Sequence, residues 1–377
     1  MKILSLVLNL FFLALFLFPF LGFINKKSIK KGAGIQRHAY AIIPAHNEEN
    51  VIENLINDCK ATGFDGVFVV ADSCTDKTIN KAGRLKARIY EVHEHNKGKA
   101  LSKALSRILN KLNDTDAVYF FDADTRLEKD FLAKSLPYLG DNEVIIHHLR
   151  IPKNNKTWVS RMYIILYAYL YRFQSALSLI GVSNIIPGNG WACTVKVLKD
   201  NPFNVDTLVD DLEYTLKIKV PIRFIDEEIV VYNEAPEAWG VSWKQRLRWT
   251  RGGFQLLFGD YSSYAFSKSF VLLFPLASLF YTSSFLQSLL HPVSFLINLP
   301  ASLSINMLFY GLFLDKEDWE QVKLYDLISF FFFSLSQYVI IIIALFTYRE
   351  QTWVRTLHKG GNINKVDQKG GVVNEKI

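Results

Sequence analysis

Three short stretches of this chain carry side chains suited to one reaction. Phe120-Phe121-Asp122-Ala123-Asp124-Thr125 offers two carboxylates spaced to share a divalent ion, and Val209-Asp210-Asp211 offers a further acid. Gln245-Arg246-Leu247-Arg248-Trp249-Thr250 offers an aromatic plate with a cation and an amide beside it. Together they suit chemistry on a phosphorylated sugar. No one of them is specific alone.

In extended chain alternate side chains point the same way, so Asp122 and Asp124 can face one ion. Oxygen-only ligation favours Mg²⁺ or Mn²⁺, and such an ion offsets charge on a departing diphosphate. An isolated Asp-X-Asp is more often a solvated turn; its position after a fourth strand raises this one above that. Asp72 closes a second apolar run, where a carboxylate can accept hydrogen bonds from a base or ribose, while Asp76 caps the helix that follows. Ile42 to Glu49 ends a strand abruptly and opens a helix, so backbone at Ala45 and His46 can meet a nucleoside, although His46 alone reads equally as a surface histidine. Lys99 lies near a helix start, where a cation and amides together suit phosphate, as they do at many solvated helix starts. Of Asp210 and Asp211, one can cap the helix opening at Leu212 and the other act as general base. Gln245, Arg248 and Trp249 sit in an amphipathic stretch, 243–257, that also suits a helix in the membrane interface. There Trp249 can offer its face to a sugar and Arg248 can pair with phosphate.

The elements that must hold these groups follow from apolar runs at 39–43, 66–71, 87–92 and 117–121, separated by helical segments. Runs of that length predict an α/β fold with a parallel sheet buried on both faces, whose ligands gather at the carboxyl ends of the strands. His46, Asp72, His93 and Asp122 stand at those ends.

Of the 377 residues, 50% are hydrophobic and 21% charged, and the mean hydropathy of +0.13 is high for a wholly soluble protein. Residues 3–24 form an uncharged apolar run long enough to span a bilayer, read as a retained helix within 1–25 because no small-residue cleavage site closes it. Lys26, Lys27, Lys30 and Lys31 follow, so the domain at 36–258 is expected on the cytoplasmic side. Residues 270–290, 292–314 and 324–347 give a second membrane region, 266–347, of two to three spans, and the basic tail at 348–377 is cytoplasmic or flexible. Residues 158–180 are also long and apolar, but Arg161, Arg172 and Gln174 make them an amphipathic helix on the domain or the membrane surface. A crossing there would part Asp122 from Asp211. The net charge of +7 comes largely from lysines beside the apolar runs, which points to anionic lipid and away from nucleic acid. Cys59, Cys74 and Cys193 lack the spacing of a disulfide framework or a zinc site.

With these residues in this order, residues 39–253 resemble the membrane-bound family 2 glycosyltransferases, the group of cellulose, chitin, hyaluronan and poly-N-acetylglucosamine synthases. The resemblance implies a GT-A fold and inverting transfer of sugar from a nucleotide-sugar donor, UDP-linked by family habit, to a glycan or lipid-linked acceptor, with an export or accessory subunit as partner. It implies that Ala45, His46 and Asp72 line the nucleoside pocket with Lys99 nearby, that Asp122 contacts the donor, and that Asp124 binds metal. Asp211 matches the catalytic base, Gln245, Arg248 and Trp249 match the Gln-X-X-Arg-Trp motif at the acceptor and diphosphate, and Gly188-Asn189-Gly190 resembles the turn beside the acceptor. Val209-Asp210-Asp211 stands where the family has Thr-Glu-Asp. The membrane portion is shorter than in synthases that extrude polymer through their own channel.

Overall fold

The computed structural model describes residues 18–23, 37–152, 157–225, 228–259, 303–304 and 307–350. The runs expected to span at 270–290 and the tail beyond 350 lie outside these residues, as does most of 3–24 and of 292–314.

The first half alternates as the apolar runs require: β1 (Ala39–Ala45), α1 (Ile52–Thr62), β2 (Gly66–Asp72), α2 (Thr78–Arg84), β3 (Arg88–Val92), α3 (Lys97–Leu109) and β4 (Ala117–Phe120). There follow β5 (Arg126–Leu127), α4 (Phe131–Ser135), β6 (Val144–Ile146), β7 (His148–Arg150), α5 (Trp158–Leu179), β8 (Trp191–Thr194) and α6 (Val195–Asp200). The described elements close with α7 (Asp210–Lys217), β9 (Ile222–Phe224), β10 (Val230–Tyr232), α8 (Trp239–Phe258), α9 (Lys316–Trp319) and α10 (Leu324–Thr347).

Strand alternation sorts the core into two layers. Ile42, Phe68, Val118 and Phe120 pack with Leu101, Leu105 and Ile108 of α3 on one face. Ile43, Val69 and Tyr119 pack with Ile52, Leu55 and Ile56 of α1 on the other. Burial on both faces is why these strands read as continuous apolar runs. The seven-stranded sheet has the order β3-β2-β1-β4-β8-β6-β9. β1 runs parallel to both neighbours, with Ala45 beside Ala71 and Ile42 beside Phe120. The chain leaves β1 toward β2 on one side and returns to β4 on the other, so a crevice opens off the carboxyl ends of β1 and β4.

β8 is antiparallel to β4 and sets Trp191 against Phe120, with ring centroids 3.8 Å apart. The turn before it therefore lies beside the end of β4. Gly190 closes that turn at φ +70°, and a Cβ there would meet Leu149 and Val231 at 3.1 and 3.2 Å, so glycine is required. A small sheet, β5-β10-β7, flanks the crevice.

α5 packs on this body. Met162, Tyr163, Ile165 and Tyr169 are buried with Phe313, Leu327, Phe330 and Phe333. Its Arg161 Nε donates to Asp326 Oδ2 at 2.8 Å, at the start of α10. α8 is bound to α10 by polar links as well: Gln337 Nε2 donates to Thr250 Oγ1 at 2.9 Å, and Gln255 Nε2 to the Tyr348 carbonyl at 2.8 Å. Among the described residues α10 is the one helix long and apolar enough to cross a membrane.

Candidate active site

One cavity of about 550 Å³ opens at the switch point, and ten of the eleven side chains expected as base, metal ligand or donor or acceptor contact line it. Ala45, His46 and Asp72, Asp122 and Asp124, Asn189 and Asp211, and Gln245, Arg248 and Trp249 of α8 are all among its lining residues. Its size falls in the range of small-molecule pockets. Residues on both sides of α5 in sequence thus share one chamber, which a crossing at 158–180 would forbid.

Lys99 is the eleventh, and it is elsewhere. Its ammonium lies 3.4 Å from Asp206. Lys97 reaches the cavity instead, because helical residues two apart point to different sides. The Asn96 side chain accepts from the Lys99 amide at 3.0 Å and so caps the helix, making Lys97 its first residue. Lys97 Nζ stands 2.6 Å from Asp122 Oδ1 and 2.9 Å from the Gly188 carbonyl oxygen. Burial opposes its charge, but Asp122, Asp210 and Asp211 outweigh that and raise its pKa.

Asp72 lines the cavity, and its carboxylate is engaged by the loop after β3. Its carboxylate accepts from the amides of Glu94 at 2.8 Å, His95 at 3.1 Å and Asn96 at 2.9 Å. Both oxygens hold the loop after β3 in place. That loop brings in His95, which the sequence reading did not select; its ring meets that of His46 edge to face at 6.3 Å. His46 Nδ1 lies 2.6 Å from the Asp72 carbonyl oxygen, which fixes its ring against the wall. Asp76 accepts from the Thr78 amide at 2.9 Å, at the start of α2.

The turn 188–190 is tied to the carboxylates. Asn189 Oδ1 accepts from the Asp122 amide at 3.1 Å, and its Nδ2 donates to Asn233 Oδ1 at 2.6 Å. Tyr167 of α5 also hydrogen-bonds Asn233 and lines the cavity. Neither Asn233 nor Tyr167 belongs to a motif, and only the fold brings them here.

Asp210 and Asp211 open α7 directly after its N-cap, Val209, and Asp211 Oδ1 accepts from the Leu212 amide at 2.9 Å. Asp211 is half-buried, and burial, then the charge of Asp210, raise its carboxyl from 3.8 to about 6, while Lys97 and Arg248 pull the other way. A carboxylate of that basicity can take a proton near neutrality. Arg248 is braced by donation to the Leu208 carbonyl at 2.9 Å. Trp249 packs beside Val209 and Leu256.

The donor set can be tested against a divalent cation. Among the described residues no three His, Cys, Asp or Glu side chains group to hold an ion. Asp122 and Asp124 both line the cavity and supply hard oxygens, and a diphosphate would supply the rest, which is how Mg²⁺ is commonly held. The residues fit such an ion when it arrives with phosphate.

A sheet of this order, with a polar cavity off the carboxyl ends of β1 and β4, defines a doubly wound, Rossmann-like α/β class. The chain belongs to glycosyl transferase family group 2, whose family model matches residues 117–348. It is similar to the beta-monoglucosyldiacylglycerol synthase of Synechocystis, 26% identical over 230 residues, 57% of this chain and 47% of that protein. It is also similar to the poly-beta-1,6-N-acetyl-D-glucosamine synthase of Staphylococcus aureus, 24% identical over 243 residues, 61% of this chain and 58% of that one. The chain spans about half the length of the curated relatives it matches. The solved mannosyltransferase of Pyrobaculum calidifontis in complex with GDP-Man and Mn²⁺ superposes with a TM-score of 0.58 and 16% identity, over 88% of this chain and 97% of that one. That likeness concerns the fold, which is GT-A: a Rossmann-like α/β body with a mostly parallel sheet.

Proposed function

We propose that this chain is an inverting glycosyltransferase moving a sugar from a nucleotide-sugar donor, UDP-linked by family habit, to a glycan or lipid-linked acceptor at a membrane. The observation that carries the reading is that Asp124, Asp211 and Trp249, far apart in sequence, line one cavity. Ala45, His46 and Asp72 wall the nucleoside end. Asp211 removes the proton from the acceptor hydroxyl as that oxygen forms a bond to the anomeric carbon. The bond from that carbon to the diphosphate oxygen breaks on the opposite side, and its electron pair leaves with the nucleoside diphosphate. Arg248 stabilises that charge. Asp124 and Asp122 would hold Mg²⁺ or Mn²⁺, which supplies further neutralisation of the diphosphate when bound. Asn189, Gln245 and Trp249 border the acceptor.

The same reading puts the catalytic body at the cytoplasmic face of the plasma membrane, between apolar segments. In support, α10 turns Phe332, Val339, Ile342 and Phe346 outward at 50–82% exposure, and Leu257 and Phe258 at the end of α8 are also exposed. Apolar side chains so displayed suit lipid. Residues 1–25 and 266–347 are the membrane parts in this proposal.

A second reading, single addition to a lipid-linked acceptor, is favoured by the likeness to a glycolipid synthase. Membranes holding the full chain, incubated with labelled UDP-sugars, GDP-mannose and Mn²⁺ or Mg²⁺, separate the two by product size. A ladder supports polymer synthesis in cell-surface polysaccharide assembly, and one added sugar supports the second reading. No turnover of any donor would favour an inactive scaffold or transport subunit.

A further inference from the structure

Asp122 already has a cation. The Lys97 ammonium sits 2.6 Å from Asp122 Oδ1 and is held from behind by the Gly188 carbonyl at 2.9 Å. Asp210 and Asp211, which line the same cavity, keep the surroundings acidic. The helix start that carries Lys97 cannot easily retreat. A Cβ on the next residue, Gly98, would meet Val205 Cγ2 at 2.6 Å and Asp210 Cβ at 2.9 Å, so α3 is pressed against α7. Rotation of the lysine side chain would free Asp122 without moving the helix. The described residues also offer no three-ligand group elsewhere to anchor an ion.

We propose that Lys97 is a built-in competitor for the divalent cation, occupying Asp122 until a nucleoside diphosphate enters the cavity. The phosphate oxygens then offer the ammonium a new partner and the cation the ligands it lacks, so cation and diphosphate bind together. The arrangement also links donor entry to the acceptor turn, since the ammonium that leaves Asp122 is the one that braces Gly188. This inference rests on the reading of the cavity as the donor site. Lys97 is on this account a positioning residue.

The test uses the full chain in lipid nanodiscs, with free Mn²⁺ followed by its electron paramagnetic resonance signal, alone and with UDP. Wild type should bind Mn²⁺ weakly alone and about tenfold or more tightly with UDP, because charges in a cleft couple strongly. Lys97→Met should tighten nucleotide-free Mn²⁺ binding by about tenfold and shrink the UDP effect, while Lys97→Arg should behave as wild type. A folded Met variant that binds Mn²⁺ no tighter than wild type overturns the inference, and so does an Arg variant that tightens as much as Met. Lys97→Gln replaces Met under the same criteria if the Met variant does not fold. The wild-type arm needs no variant: absence of a UDP effect on Mn²⁺ affinity is also fatal. Turnover of labelled donor by wild type is scored separately. Turnover without the Lys97 effect removes this inference alone; the Lys97 effect without turnover removes the transferase reading alone.

Discussion

Tyr163 of α5 donates its hydroxyl hydrogen to Gln245 Oε1 at 3.0 Å, across the seam between α5 and α8. The Ser242 hydroxyl lies 3.0 Å from the same phenolic oxygen. Burial pushes the Tyr163 pKa up to about 12, so the phenol remains a donor throughout the working range. A helix expected from the sequence to lie on the domain or the membrane surface thereby orients a cavity amide.

Tyr163→Phe should leave the fold intact and release Gln245. Loss of one such bond is worth about 1–2 kcal/mol, so kcat/KM for the acceptor should fall by about 5–30-fold with donor affinity unchanged. Steady-state kinetics at fixed donor would check this. An equal loss in donor binding would mean that Gln245 serves the donor.

Asp211 gives the pH dependence. Its carboxyl, raised to about 6, must be ionised to accept a proton. The rate should therefore be full above that pH and fall about tenfold per unit below it, read in kcat/KM, which reports the free enzyme. Asp211→Asn should lower transfer by about 10²–10⁴ while calorimetric donor affinity stays within about twofold. A mutant that loses donor binding instead would remove the base assignment.

Much of this was legible in the sequence, and the limits have physical causes. β1 to β4 are buried on both faces, so their apolar runs announce a parallel sheet without any structure. β8 runs against β4, and β5, β7 and β10 are two or three residues long. Such strands have too few residues to show a period, and their pairing depends on partners distant in the chain. The same contrast holds in the site. Asp122, Asp124, Asp211 and Trp249 stand in short motifs that single them out in the sequence, and all four line the cavity. Lys97 and Lys99 differ only in which side of a helix they face, and that depends on Asn96 being the cap. Tyr167 and Asn233 gain their place only through packing.

Trp249→Ala probes the aromatic plate. Trp249 both lines the cavity and packs on Val209 and Leu256. If its face receives a sugar, truncation should raise the acceptor KM by about tenfold, the cost of losing a buried aromatic anchor, and spare donor hydrolysis. Initial rates with and without acceptor separate the two. Loss of membrane association with both rates preserved would identify the ring as an anchor alone.

Asp72→Asn decides between two uses of a carboxylate at a strand end. With three backbone amides on its two oxygens, the side chain is committed to the loop at Glu94, His95 and Asn96. An amide nitrogen in place of one oxygen turns an acceptor into a donor facing an N–H, leaving at least one partly buried amide unpaired. That costs about 1–3 kcal/mol. The loop carries His95 and leads into Lys97, so the whole nucleoside end should loosen together. Thermal unfolding of the purified chain should move down by several degrees, on the order of what such a loss implies for a domain of this size. UDP, GDP and CDP should all lose affinity by similar factors in competition binding. A carboxylate that reads the base would give the opposite pattern: an unchanged transition, and one nucleotide weakened far more than the others.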